Sequence, residues 1–222
     1  MLEAIIEGLD AEIRWPDAAE RAQLASRNDG IFRNCIGITD CWEQQIINNS
    51  KDSVKESNTF SGKADNNTKK VFAVIDFDGY FRYAKVDIDG RPNDRQVYTE
   101  SDLYLDRGAF FGPDEWIAAD GIFEGDGSCG VSYTGREMHN DESKQEYNVI
   151  FTEVRKYIET AFGRVQNWFQ ILRNKDAEWS CDDHLLAKAT LAAIRLHNWM
   201  LRNRNLNYNP SMNPKNMFRQ DY

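Results

Sequence analysis

A long amphipathic stretch between Glu146 and Leu172 constrains the fold of this chain more than any other feature. Its apolar side chains recur three or four residues apart, at Phe151, Val154, Ile158, Phe162, Val165, Phe169 and Leu172. This spacing is the period of an α-helix with one buried face, and no proline interrupts it. The pattern therefore predicts a long helix whose apolar face packs against the rest of the protein.

Arg155 and Glu159 lie four residues apart at the edge of this stripe, so their side chains are neighbours on one helix. The spacing leaves two interpretations open. The pair is either an exposed ion pair of little consequence, or it includes a carboxylate that a rigid helix directs towards other acids. The choice depends on whether the rest of the chain supplies acidic partners.

Other helices are predicted near both ends of the chain. Leu2 to Trp15 is apolar at roughly helical spacing. Asp17 and Glu20 form a capping-box pattern, which predicts a second helix that extends to about Arg27. The last helix is predicted to begin at Asp182-Asp183, because acids favour the positive N-terminal end of a helix dipole.

The clearest β-strand signal lies in the middle of the chain. Residues 71–77 and 80–88 are rich in Val, Ile, Phe and Tyr, and Asp78-Gly79 between them is typical of a tight hairpin turn. The polar residues 48–70 are predicted as a loop with at most one exposed strand, and Val97 to Leu105 as a short helix.

Two further predicted strands end in an acid. Residues 31–41 are rich in Ile and Thr and carry Asp40 at their end, and Glu115 to Ala119 is followed directly by Asp120. Such an acid is either a turn former or a site residue, and the residues alone leave both interpretations open. The order of helices, strand, hairpin, strand and two helices favours an α/β fold, with helices packed on a mixed β-sheet.

The remaining segments complete a single-domain organisation. Residues 124–145 are rich in glycine and charge and are predicted as a loop, and the Asn-rich chain from Asn203 onwards is predicted to be disordered. The expected parts are a helical preface (1–30), a central domain (31–202) and a polar tail (203–222).

Composition narrows the class of function. The 27 basic and 36 acidic residues give a net charge of −9, which argues against a general nucleic-acid-binding protein. No apolar run is long enough to span a membrane, and no secretory signal pattern is present. The cysteines are scattered, which favours free thiols over a zinc site; they are Cys35, Cys41, Cys129 and Cys181.

Asp40, Asp120 and Glu159 are the candidate site residues that the sequence pattern predicts. Carboxylates from two strand ends and one helix edge can meet at one end of a sheet. Hard divalent cations such as Mg²⁺ prefer oxygen ligands, and two such ions can stabilise the attacking and leaving oxygens of a phosphodiester. Spacing alone does not establish this site, because a chain with 36 acids offers other triplets of similar plausibility.

Six sequence elements occur in the order found in one protein family. They are GITDC, FSGKADNNTKKVFAVIDFDGYF, GRPNDRQVY, WIAADGIF, YNVIFTEVRKYIETAFGRVQNWF and LHN. Through them the chain resembles the DDE endonucleases of Harbinger-type transposases, including genes domesticated from them, over roughly residues 10–202. The most specific element is Arg-x-x-x-Glu-x-x-Phe-Gly, which Arg155, Glu159, Phe162 and Gly163 match in full.

The resemblance implies a ribonuclease-H-like fold in which Asp40, Asp120 and Glu159 are the catalytic acids and bind two Mg²⁺ or Mn²⁺ ions. It also implies supporting roles for Asp94, Arg155 and His197, although a buried core or supporting histidine is the simpler interpretation of His197. Lys63 and Lys69 are expected to face DNA phosphates.

The resemblance further implies a metal-dependent DNA endonuclease or transposase catalytic domain located in the nucleus, or otherwise in the cytoplasm. Harbinger systems use a separate Myb-like DNA-binding protein. The net negative charge of this chain fits a catalytic protein that relies on such a partner to bind DNA. Two departures favour the alternative, a catalytically inactive DNA- or protein-binding module. Trp42-Glu43 stand near the first acid where the family often has Thr-His, and the family's N-terminal helix-turn-helix segment is not matched.

Overall fold

A computed structural model describes residues 2–46, 53–123, 125–135, 141–173 and 183–203. Within these residues the strands are β1 (Cys35–Gln45), β2 (Phe60–Ser61), β3 (Asn66–Ile75), β4 (Phe81–Asp89), β5 (Trp116–Ala118) and β6 (Cys129–Gly130). The α-helices are α1 (Leu2–Gly8), α2 (Ala18–Ser26), α3 (Ser53–Thr59), α4 (Asp94–Thr99), α5 (Asp102–Leu105), α6 (Arg107–Phe110), α7 (Glu142–Trp168) and α8 (Asp183–Asn203).

The strands form one mixed sheet. Its order is β4, β3, β1, β5 and β6, and the short β2 pairs with the first residues of β3. The pairs β3–β4 and β1–β3 are antiparallel, whereas β1–β5 and β5–β6 are parallel. This arrangement confirms the predicted α/β fold with a mixed sheet and is consistent with a ribonuclease-H-like fold.

Apolar side chains cover both faces of the sheet. On one face, Ile38, Trp42 and Ala118 pack against the buried stripe of α7 and against α8. On the other face, Ile36 and Ile117 pack against side chains from α2, α4 and α5. Alternate residues of β3 therefore point to opposite layers, as the period of a β-strand requires. In β1 the alternation is broken near Gly37, where the register against β5 shifts, so Ile36 and Ile38 point to opposite layers although they are two residues apart.

Helix α7 agrees with the predicted stripe and begins earlier than predicted. Asp141 caps it by accepting hydrogen bonds from the backbone N–H groups of Ser143 and Lys144, at 3.1 and 3.4 Å. Five members of the stripe on α7 are buried, whereas Phe169 and Leu172 lie beyond the helix end.

The N-terminal residues pack against the last helix. Asn198 donates a 2.7 Å hydrogen bond to the carbonyl oxygen of Glu12, and the Arg195 guanidinium lies 2.5 Å from the Asp10 carboxylate. The predicted capping box is present, because Asp17 and Glu20 each accept a hydrogen bond from the other's backbone N–H. None of the described helices is both long and apolar enough to cross a membrane.

The first strand was predicted four residues too early, and Asp40 lies within β1 and not at its end. Residues 30–32 form a 3₁₀ turn, and β1 continues to Gln45 through polar residues. It can do so because those residues have buried partners: Gln44 hydrogen-bonds Thr190 at 3.0 Å, and Glu43 lies 3.3 Å from Lys70.

Other boundaries differ where short elements interrupt predicted loops. Residues 48–70 were predicted as a loop with at most one exposed strand, but their described part contains α3, β2 and the start of β3. The predicted helix at 97–105 lies across two helices, α4 and α5. The predicted helix start at Asp182 and the tail from residue 204 lie outside the described residues.

Candidate active site

Strand pairing places Asp40 and Asp120 side by side. In the parallel pair β1–β5, Ile38 is opposite Ala118. Asp40 lies two residues after Ile38, and Asp120 lies two residues after Ala118. Both carboxylates therefore leave the sheet at the same level and on the face that α7 covers. The backbone N–H of the following residue holds each one, Cys41 at 2.8 Å and Gly121 at 2.6 Å.

Arg155 brings the third acid into the group. Its Nη2 atom lies 3.5 Å from Asp40 Oδ2, 3.3 Å from Asp120 Oδ2 and 3.7 Å from Glu159 Oε1. Arg155 and Glu159 are one turn apart on α7, which the apolar stripe anchors to the sheet. The structure thus gathers the three predicted acids around one positive charge.

The Arg155 contacts are electrostatic and are not tight hydrogen bonds. All three distances exceed the usual 2.7–3.2 Å range for N–H···O bonds. The Nε atom of Arg155 is buried and has no hydrogen-bond partner among the residues that the structure describes. Among the described residues, no three His, Cys, Asp or Glu side chains are close enough together to hold a metal ion. The three carboxylates face the guanidinium between them.

Asp40 is the most buried of the three acids. Its side chain is 14% exposed, whereas Asp120 and Glu159 are 45% and 57% exposed. Burial raises the pKa of the Asp40 carboxyl to about 6. The negative charges of Asp94 and Asp120 also raise this pKa, whereas the hydrogen bond from the Cys41 N–H and the positive charge of Arg155 lower it. A further positive charge beside Asp40 would therefore be favourable.

Asp94 lies near Asp40, on which its negative charge acts. Its Oδ1 atom accepts a 2.9 Å hydrogen bond from Lys70 Nζ, and Lys70 also lies 3.3 Å from Glu43. Neither Lys70 nor Glu43 was predicted from the sequence as a residue near the site. Strand alternation offered a signal, since neighbouring lysines on β3 must point to opposite faces, and only Lys70 faces α4.

The two lysines predicted to face DNA differ in their surroundings. Lys69 is buried between two acids of β4, at 2.9 Å from Asp87 and 2.8 Å from Asp89, so its charge is neutralised within the protein. The structure does not bring Lys69 to the three carboxylates. Lys63 lies in the exposed turn between β2 and β3 and lines a cleft that also contains Asp94.

His197 lies in the core and does not contact the three carboxylates. Its ring packs against Phe81 and Trp168, and Nε2 lies 3.1 Å from the carbonyl oxygen of Gly79, to which it must donate. Burial lowers the pKa of His197 to about 4, so the ring is neutral near pH 7. Its observed contacts hold α8 to the hairpin turn.

The three acids around Arg155 are of the donor type that a divalent cation binds, although their spacing around the guanidinium forms no metal-binding group among the described residues. Mg²⁺ and Mn²⁺ prefer hard oxygen donors, and each of the three carboxylates turns one oxygen towards Arg155 without a tight hydrogen bond to it. Two of the acids are half-exposed, so the group is accessible to solvent ions. A cation that replaced the guanidinium would meet the donor set it prefers.

The mixed sheet and the acids beside its β1–β5 pair define an α/β protein with a candidate acidic site. The family model of the DDE superfamily endonucleases matches residues 39–198, and the chain belongs to this family. Membership indicates a nuclease or transposase function with DNA as the substrate, and members of this superfamily generally use divalent metal ions. Comparisons with curated proteins and with solved structures gave no match.

Proposed function

We propose that this protein is a metal-dependent DNA endonuclease of the Harbinger transposase type, with Asp40, Asp120 and Glu159 as its catalytic acids. The observation that carries the proposal is the convergence of these three carboxylates, from two strands and one helix, on the Arg155 guanidinium. An inactive binding module would have no need to gather mutually repelling charges at one solvent-accessible point.

In this proposal the three carboxylates hold two Mg²⁺ or Mn²⁺ ions. When bound, such ions activate the attacking water and stabilise the leaving 3′-oxygen of the cleaved phosphodiester. The chain supplies the placement: the β1–β5 pairing fixes Asp40 and Asp120, and α7 fixes Glu159. Arg155, once it is released from the carboxylates, orients Glu159 or contacts a phosphate.

The net charge of −9 bears on how the protein finds DNA. A chain of this charge is repelled by DNA over most of its surface. We therefore propose that a separate Myb-like DNA-binding protein directs it to its target, and that both act in the nucleus. The bound cations offset part of the negative charge at the site itself.

The proposed function predicts nicking of supercoiled plasmid by the purified protein with Mg²⁺ or Mn²⁺, and none with EDTA. Gel electrophoresis separates the nicked form from the supercoiled form. A protein that binds both plasmid and Mn²⁺ but leaves the plasmid intact would contradict the endonuclease and favour the inactive binding module.

A further inference from the structure

A cleft of about 220 Å³ opens near the candidate active site, on the α4 side of the sheet. Glu43 of β1, the turn at residues 61–63, the loop at residues 90–94 and Ile122 line it. The cleft borders the acidic group, because its lining includes Asp94, which interacts electrostatically with Asp40, and Ile122, two residues beyond Asp120.

The cleft carries excess positive charge although the whole chain is acidic. Lys63, Lys70 and Arg91 line it together with two acids, Glu43 and Asp94. Those acids are both close to Lys70, at 3.3 and 2.9 Å, and neutralise it. Lys63 and Arg91 are exposed, and in the described part of the chain neither side chain has a hydrogen bond or an ion pair.

Arg91 also lies where this cleft meets a second one. The neighbouring cleft has a volume of about 380 Å³ and shares Arg91 and Pro92 with the first. Together the two clefts outline a path along the surface that includes Lys63, Arg91 and Ile122. Ile122 is 49% exposed, so the path also presents an apolar side chain.

We propose that this path holds the DNA strand beside the bond to be cleaved, with Lys63 and Arg91 on its phosphates and Ile122 against a sugar or base. A nucleic-acid strand offers this combination of partners, since its phosphates attract cations and its sugars and bases present apolar surface. The inference rests on the proposed function and deepens it by naming the residues that position the strand.

The test is DNA binding without cleavage. Fluorescence anisotropy would measure the affinity of the full chain in EDTA for a labelled single strand and a duplex of about 20 nucleotides, with KCl between about 50 and 200 mM. Arg91→Gln and Lys63→Gln are each expected to reduce the slope of log affinity against log salt by about 0.7 to 0.9. Ile122→Thr is expected to weaken binding several-fold without changing the slope, because it removes no charge.

Arg33→Gln is the matched control. Arg33 is also exposed, precedes β1 at the opposite end from Glu43, and has no side-chain partner in the described residues. Its substitution removes the same charge and is expected to leave the slope unchanged. Slopes for Arg91→Gln and Lys63→Gln equal to that of Arg33→Gln would overturn the inference, as would the absence of measurable binding by the wild type at about 50 mM KCl.

The two proposals fail separately. If the wild type nicks plasmid with metal but the cleft variants keep the wild-type salt dependence of DNA binding, the proposed strand path is wrong and the endonuclease proposal is still supported. Reduced slopes without any nicking would overturn the endonuclease and support the strand path, because the binding assay requires neither metal nor cleavage.

Discussion

Asp120→Asn and Glu159→Gln are each expected to lower the rate of Mg²⁺-dependent plasmid nicking by about 10³-fold or more. Each substitution keeps the shape of the side chain but removes its negative charge from the group around Arg155. A loss of about 4 kcal/mol of transition-state stabilisation corresponds to a rate lower by about 10³-fold. This loss is a modest share of the stabilisation that bound metal ions supply.

These variants should remain folded. Both side chains are about half exposed, and the amide oxygen of Asn at position 120 can still accept the hydrogen bond from Gly121 N–H. The expected change in the free energy of unfolding is below about 1 kcal/mol. Glu153→Gln is the control, because Glu153 lies on the same helix and pairs with Lys156 away from the site. Nicking at the wild-type rate by either site variant would contradict the assignment.

Gly90→Ala is expected to lower the free energy of unfolding by about 3 kcal/mol or more. A Cβ atom at this position would overlap the Thr59 carbonyl oxygen and the Thr68 hydroxyl, and would lie 2.8 Å from the Thr68 carbonyl oxygen. Backbone atoms of β3 cannot move aside as a flexible side chain can, so the loop that begins at Gly90 must shift. Urea denaturation monitored by circular dichroism measures the change.

Gly163→Ala is the matched control for that substitution. Gly163 lies in α7, and a Cβ atom there would have no neighbour within 4 Å. Alanine in a helix interior is more favourable than glycine, so this variant is expected to gain about 0.5 to 1 kcal/mol. A Gly90→Ala protein with the urea midpoint of the wild type would show that the β4–α4 loop packs against Thr59 and Thr68 more loosely than the structure indicates.

Local sequence patterns predicted the elements that position the site. The apolar stripe located α7 because its period is sustained over many turns, and Asp78-Gly79 located the β3–β4 hairpin. The convergence of Asp40, Asp120 and Glu159 was stated as a possibility from their places at strand ends and a helix edge. The pairing of β1 with β5 brings them together, and that pairing is a long-range property of the chain.

The surroundings of the basic residues could not be predicted in this way. Lys69 and Lys70 are adjacent in sequence, yet Lys69 is held by two acids of β4 and Lys70 by Asp94 and Glu43. Which lysine faces which acids depends on the register of β3 against both neighbouring strands. The place of Arg155 at the centre of the acids likewise depends on how α7 lies on the sheet.

The position of bound Mn²⁺ tests the central claim most directly. Anomalous diffraction from crystals of the protein grown with Mn²⁺ would locate the ions. The account predicts Mn²⁺ at about 2.0 to 2.2 Å from oxygens of Asp40, Asp120 and Glu159, with the Arg155 guanidinium displaced from between them. Mn²⁺ bound elsewhere, or not bound at all, with Arg155 still between the three carboxylates would contradict it.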